Sequence, residues 1–121
     1  MIKKILIVDD NATDLLIIKR YLVRAGYNEI VSAGNVQEGI KKVETESPDL
    51  IILDTMLPDG NGFEICQVIR EKYNQAKPRI IIITGSVDAV DAVRARRSGA
   101  DDYCAKTFDC APLLEALKRI A

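Results

Sequence analysis

Apolar residues run along this chain in two alternating rhythms. Ile5–Val8, Leu50–Leu53 and Ile80–Ile83 are unbroken apolar runs rich in isoleucine. A strand with one face in water alternates apolar and polar positions. A short run without alternation predicts a strand buried on both faces, as in a parallel sheet. Ile30–Ala33 and Asp102–Ala105 are weaker strand candidates. Between these runs the period lengthens to that of a helix. In Ala12–Ala25, the residues Leu15, Ile18, Leu22 and Ala25 recur three and four apart and form one apolar face, with Gly26 as a stop. Asn35-Val-Gln-Glu38 and Asn61-Gly-Phe-Glu64 resemble capping boxes with Asn as the cap. They predict helices over Val36–Glu46 and Gly62–Tyr73. A fourth helix is expected over Val87–Ser98, closed by Gly99. Asp109, with Pro112 in the first turn, opens a fifth over Cys110–Ile120.

The order is therefore βαβαβαβαβα. Strict alternation with short connections predicts an α/β fold: a doubly wound five-stranded parallel sheet with helices on both faces. Right-handed crossovers make it a three-layer sandwich. The 121 residues suit one core, and no repeat, linker or low-complexity segment divides them, so residues 1–121 read as a single domain.

Composition narrows the function classes. Lys and Arg number 17 against 18 Asp and Glu, a net charge of -1, which weighs against non-specific nucleic-acid binding. No apolar stretch approaches the ~18 residues that would span a membrane. The apolar part of the N-terminus is too short for a signal peptide and is stopped by Asp9 and Asp10. A cytoplasmic location is expected. The chain has no His, which excludes Ser-His-Asp and Cys-His catalysis and His-ligated metal sites within it. Cys66, Cys104 and Cys110 match no zinc pattern and read as reduced, partly buried thiols.

The candidate chemistry lies just past the strands, where open α/β sheets bind ligands. Asp9 and Asp10 follow the first strand, Asp54 the third, Thr84 and Gly85 the fourth, and Lys106 the fifth. Each has an ordinary alternative role taken singly: a turn former, a helix cap, a small strand-end residue, a solvated lysine. Their convergence on one sheet edge is harder to assign to chance. A carboxylate abutting four aliphatic residues is costly unless partnered, and three together repel one another. A divalent cation and one lysine relieve that repulsion. An all-oxygen donor set suits Mg2+ better than a transition metal.

Four segments carry a family likeness. Ile5-Leu-Ile-Val-Asp-Asp10, Leu53-Asp-Thr-Met-Leu-Pro-Asp-Gly-Asn-Gly62, Ile83-Thr-Gly-Ser86 and Gly99-Ala-Asp-Asp-Tyr-Cys-Ala-Lys-Thr-Phe108 resemble, in order and over essentially the whole chain, the response-regulator receiver family. The resemblance implies a flavodoxin-like fold with strand order 2-1-3-4-5. It implies that Asp54 accepts a phosphoryl group from a sensor histidine kinase or phosphotransfer protein. It makes Asp10 a direct Mg2+ ligand, Asp9 a carboxylate acting mainly through water, and the Met56 backbone carbonyl a further ligand. Thr84 and Lys106 would contact phosphoryl oxygens, and Tyr103 would change rotamer on activation. Pro58 and Gly62 match the loop proline and the glycine opening the third helix. The switching face would be the fourth helix, fifth strand and fifth helix, near Arg94, Arg96 and Arg97, with homodimerisation through that face as an option. In that strand order Thr84 lies about one strand spacing, ~4.8 Å, from the third strand, and the fifth strand lies ~10 Å away. Only a long side chain such as Lys106 bridges the larger gap.

One position departs from the family. Thr107 stands where the family usually has proline after a cis bond. A cis bond before a non-proline residue costs roughly 2.5–4 kcal/mol, so a trans Lys106–Thr107 bond and a rebuilt loop are expected, with the placement of Lys106 in question. The resemblance also implies that the side chains two residues past Asp54 and Thr84 flank the water's approach; here these are Met56 and Ser86, which supply no acid or amide, so a long-lived phosphoryl group is expected. The alternative is a phospho-independent receiver-like interaction module. Thr107 is the one feature in its favour, and the joint presence of Asp9, Asp10, Asp54, Thr84 and Lys106 argues against it.

Overall fold

The computed structural model describes residues 1–73 and 77–120. Five strands and five helices alternate: β1 (Lys4–Val8), α1 (Ala12–Arg24), β2 (Glu29–Ala33), α2 (Val36–Glu46), β3 (Leu50–Asp54), α3 (Gly62–Tyr73), β4 (Arg79–Thr84), α4 (Ala89–Ser98), β5 (Asp102–Ala105) and α5 (Ala111–Ile120). The strands form one parallel sheet in the order β2-β1-β3-β4-β5, as expected. No helix among the described residues is long and apolar enough to cross a membrane.

The unbroken apolar runs have a direct physical meaning here. Successive side chains of a strand point to opposite faces. Leu6, Val8, Ile51, Leu53, Ile80 and Ile82 pack on one face with Val36, Val43, Phe63, Ile65, Cys66, Ile69 and Ala95 of α2, α3 and α4. Ile5, Ile7, Leu50, Ile52, Ile81 and Ile83 pack on the other with Ile18, Leu22, Leu113, Ala116 and Leu117 of α1 and α5. Two cores flank one sheet, so the positions of the central strands between their polar ends must be apolar.

Helix ends follow local chemistry. Asn35 accepts the N–H of Glu38 at 2.8 Å, and Asn61 accepts that of Glu64 at 3.0 Å, so both expected caps form. Gly26 and Gly99 both have φ +101° and end α1 and α4 in the left-handed region that favours glycine. The fourth helix begins at Ala89 rather than Val87 because Asp88 caps it, accepting the N–H of Val90 at 2.7 Å. Val87 therefore lies outside the helix and is exposed. The three cysteines are free and buried, Cys66 completely so. Burial pushes the Cys104 thiol up to about 12 and raises those of Cys66 and Cys110.

Register sets the functional edge. Val8 pairs with Leu53, Asp54 with Ile83, and Thr84 with Ala105. The residues that leave the sheet at Asp9, Asp54, Thr84 and Lys106 are thereby level. At the opposite edge Asp49 pins that register. Its carboxylate accepts the N–H groups of Lys3 and Lys4 at 2.9 Å each, its own N–H donates to the Lys4 carbonyl at 2.8 Å, and its carbonyl accepts the Arg79 N–H at 3.0 Å.

The Lys4 N–H, helped by that of Lys3, holds the Asp49 carboxyl below the usual carboxylate range. A depressed folded-state pKa stabilises the fold above the unfolded value, near ~3.9, and that contribution fades as pH falls through the folded value. Asp49→Ala should lower stability at neutral pH by about 0.5–1 kcal/mol, a modest loss because the carboxylate is exposed and water screens it. Urea denaturation of wild type and variant from pH 7 down to 3 should show the gap narrowing below about pH 4.

Candidate functional site

Each strand end delivers its residue by a distinct local device. Asp9 continues β1, donating its N–H to the Ala33 carbonyl at 3.0 Å, and is wholly buried. Its Oδ1 accepts the Asn11 N–H at 2.9 Å as the chain turns into α1, where Asn11 caps the helix by accepting the Asp14 N–H at 3.0 Å. Asp10 is exposed beside it. Asp54 closes β3 and is buried, with Oδ1 accepting the Met56 N–H at 3.3 Å. One oxygen from each of Asp9, Asp10 and Asp54 lies within 4.8 Å of the others.

Gly62 lets α3 approach this point. A Cβ there would sit 2.4 Å from the Asp54 carbonyl oxygen, so no other residue fits without displacing backbone. The start of α3 thus rests directly on the end of the strand that carries Asp54.

Lys106 crosses from β5 to the carboxylates. Its N–H donates to the Thr84 carbonyl at 2.7 Å, which extends the β4–β5 pairing by one residue and aims the side chain inward. Its ammonium donates to Asp9 Oδ2 at 2.8 Å, Asp54 Oδ2 at 3.0 Å and Asp14 Oδ2 at 3.0 Å. An ammonium has three donors, and all three are engaged. Burial works against its charge, but the bonds to Asp9, Asp14 and Asp54 outweigh burial and hold the ammonium above the ordinary lysine value. Burial pushes the Asp9 carboxyl up, with the Asp54 charge adding to the push. The Lys106 ammonium and the Asn11 N–H pull it back in part.

Thr107 does not misplace Lys106. Among the described residues the cis peptide is Lys77–Pro78, and the Lys106–Thr107 bond is trans, as expected. The loop is anchored instead by Asp109, whose Oδ1 accepts the Thr107 hydroxyl at 2.8 Å and the Ala111 N–H at 3.0 Å.

Thr84 lies buried at the end of β4. Its hydroxyl donates to the Ser86 carbonyl at 3.1 Å and accepts the Ser86 N–H and the Thr55 hydroxyl, each at 3.2 Å. Tyr103 stands apart from the carboxylates. It packs half-buried against the α2–α3–α4 core, and its hydroxyl accepts the Asp88 N–H at 3.4 Å ahead of α4. Met56 is 79% exposed next to Asp54.

The fold brings two further residues to the site, Asp14 and Thr55. Asp14 carried a signal. It sits in the first turn of α1, and the start of a helix that follows a strand lies at the same edge as the strand end. Thr55 carried none, because the residue after a strand can turn to either face.

The donor set fits a hard divalent cation. It is all oxygen and carries three carboxylates, one of them exposed for a metal with its waters to enter. Without nitrogen or sulfur donors it does not suit zinc or copper.

A family model described as the response regulator receiver domain matches residues 5–118. The chain belongs to this family. The alkaline phosphatase synthesis transcriptional regulatory protein PhoP of Bacillus subtilis is 40% identical over 108 residues, covering 89% of this chain and 44% of that protein. The chain spans about half the length of the curated relatives it matches. The chemotaxis protein CheY4 of Vibrio cholerae superposes with a TM-score of 0.89 at 26% identity, covering 100% of both chains. A response regulator of Burkholderia pseudomallei, solved with a phosphorylated aspartic acid, a calcium ion and citrate, superposes at 0.78 with 29% identity over 97% of this chain and 70% of that one. This receiver domain is thus a module of two-component signalling, a system in which response regulators work with histidine kinases.

The contact at Gly62 makes a prediction. Gly62→Ala should cost about 1–3 kcal/mol of stability by overpacking against the Asp54 carbonyl. Chemical denaturation measures the loss. Unchanged stability would mean that α3 slides away from β3 without cost.

Proposed function

We propose that this receiver accepts a phosphoryl group on Asp54 from the phosphohistidine of a sensor kinase or phosphotransfer protein, in a reaction that requires Mg2+. The observation that carries this reading is the position of Asp54. It shares a 4.8 Å carboxylate cluster with Asp9 and Asp10 and takes a hydrogen bond from Lys106 at 3.0 Å. Three anions and one cation crowded at a strand edge form a poor structural arrangement and a good cradle for a metal with a phosphoryl group. The phosphorylated aspartate and calcium ion of the Burkholderia relative supply a precedent within the same fold.

Asp9, Asp10, Asp54 and the Met56 carbonyl would hold Mg2+, which when bound neutralises carboxylate charge and binds phosphoryl oxygens. Asp54 attacks phosphorus through a carboxylate oxygen. A new O–P bond forms as the P–N bond to the donor imidazole breaks, and the bonding electrons leave with that nitrogen. Lys106 and Thr84 meet the negative oxygens of the transferred group. Receivers are not conventional enzymes, and the chain's part is positioning and electrostatic stabilisation.

Phosphorylation adds charge where Thr84 already stands buried beside Thr55. Turning the Thr84 hydroxyl toward a phosphoryl oxygen breaks its bonds to Ser86. That shifts the β4–α4 loop, where the Tyr103 hydroxyl meets Asp88. Tyr103 then turns inward, and the face of α4, β5 and α5 changes between two states that a partner or a second copy can distinguish. We read residues 1–121 as one such domain, acting in the cytoplasm and without direct nucleic-acid contact.

Incubation with Mg2+ and a small phosphodonor should label the wild type and leave Asp54→Asn unlabelled. Equal labelling of both would remove the acceptor assignment and favour a module that signals through its surface alone. Met56 and Ser86 bring no acid or amide to the attacking water, so the purified phosphoprotein should decay over minutes or longer. A lifetime of seconds would contradict this.

A further inference from the structure

Lys106 is shared among three carboxylates that differ in one respect. Two of them, Asp9 and Asp54, belong to the cluster suited to a divalent cation. The third, Asp14, does not. It projects from the first turn of α1, its side chain is 31% exposed, and it meets the ammonium from the helix side at 3.0 Å. Once a cation sits on Asp9, Asp10 and Asp54, its two positive charges offset their hold on Lys106 and repel the ammonium directly. The attraction to Asp14 is the least reduced.

The geometry points to Asp14 as a positioning residue that holds the Lys106 ammonium at the site when a divalent cation has taken its other two carboxylate partners. The inference rests on the reading of Asp54 as acceptor. It deepens that reading by assigning Lys106 an anchor outside the metal cluster. Three donors suffice for the arrangement. One stays on Asp14, and the others are free to turn from the carboxylates to the oxygens of an incoming phosphoryl group. The backbone supports the same division. The loop after Lys106 is tied at Asp109 to the start of α5, so the stem of the side chain is fixed there and its tip is fixed from α1. Without Asp14 the tip would keep, among the described residues, only the two partners that the cation claims.

Two measurements test this. In the first, Lys106 is reacted with an amine-specific acylating reagent and read by mass spectrometry, with and without Mg2+. Lys106 should be protected in wild type under both conditions. In Asp14→Ala it should stay protected without Mg2+ and react severalfold faster with it. In the second, Mg2+-dependent labelling by acetyl phosphate should slow about tenfold in Asp14→Ala, the loss of one charge-assisted contact. Asp14→Glu should recover part of the rate. In a Lys106→Ala background the Asp14 substitution should add nothing, since both changes remove one interaction. Equal slowing in both backgrounds, or Lys106 reactivity in Mg2+ that ignores Asp14, would overturn the anchor. Asp14→Asn, which keeps the shape and loses the charge, repeats the comparison should the alanine variant not fold. Failure of the acceptor reading looks different: Asp54→Asn would label like wild type, while the Lys106 reactivity pattern would still stand.

Discussion

The structure turns on the balance of charge at one edge of the sheet. Asp9 is wholly buried and Asp54 nearly so, each at the end of an aliphatic strand. A buried carboxylate without a partner is among the costlier features a fold can contain. Here both are met by a single ammonium that crosses from β5 past β4 to reach β3 and β1. The bond from the Lys106 N–H to the Thr84 carbonyl sets the direction of that reach, and Asp109 holds the loop behind it. Removing the lysine would take away the ammonium that Asp9, Asp14 and Asp54 share among the described residues.

That balance explains why the scaffold is so regular. The two cores use every aliphatic residue of the central strands, which leaves no freedom to slide the register. A slip of one residue would turn every side chain to the wrong face and move Asp54 away from Asp9. Gly62 adds a second constraint from above, because α3 meets the Asp54 carbonyl too closely for any side chain. Rigidity below the site and exposure at Asp10 and Met56 above it give a fixed base with an open top, an arrangement suited to receiving a group from another molecule.

The connection from site to surface is local. Thr84 is bonded to Thr55 on the β3 side and to Ser86 on the loop side. The loop leads within two residues to Asp88, which caps α4 and whose N–H meets Tyr103. A threonine hydroxyl that changes partner therefore has a short path to the start of a helix with exposed Val90 and Val93. On the other side Lys106 connects the carboxylates to α1 through Asp14. The two sides use separate residues.

Much of this was legible in the chain. Ile5–Val8, Leu50–Leu53 and Ile80–Ile83 determined the buried strands, because only a sheet covered on both faces tolerates unbroken aliphatic runs. The Asn35 and Asn61 caps set the starts of α2 and α3, since capping is a bond between near neighbours. Asp9, Asp10, Asp54, Thr84 and Lys106 could be placed at one edge because strand ends in a parallel sheet share that edge. What the sequence left open depends on the third dimension. Asp88 took the start of α4 from Val87 through a side-chain bond that competing caps could equally have made. Thr107 left the reach of Lys106 undetermined until the Asp109 tether was seen. Asp14 emerged as a third partner of the ammonium only in the folded chain. It is separated from Lys106 by 92 residues, and no local pattern records which of the nearby carboxylates a flexible four-carbon side chain will meet.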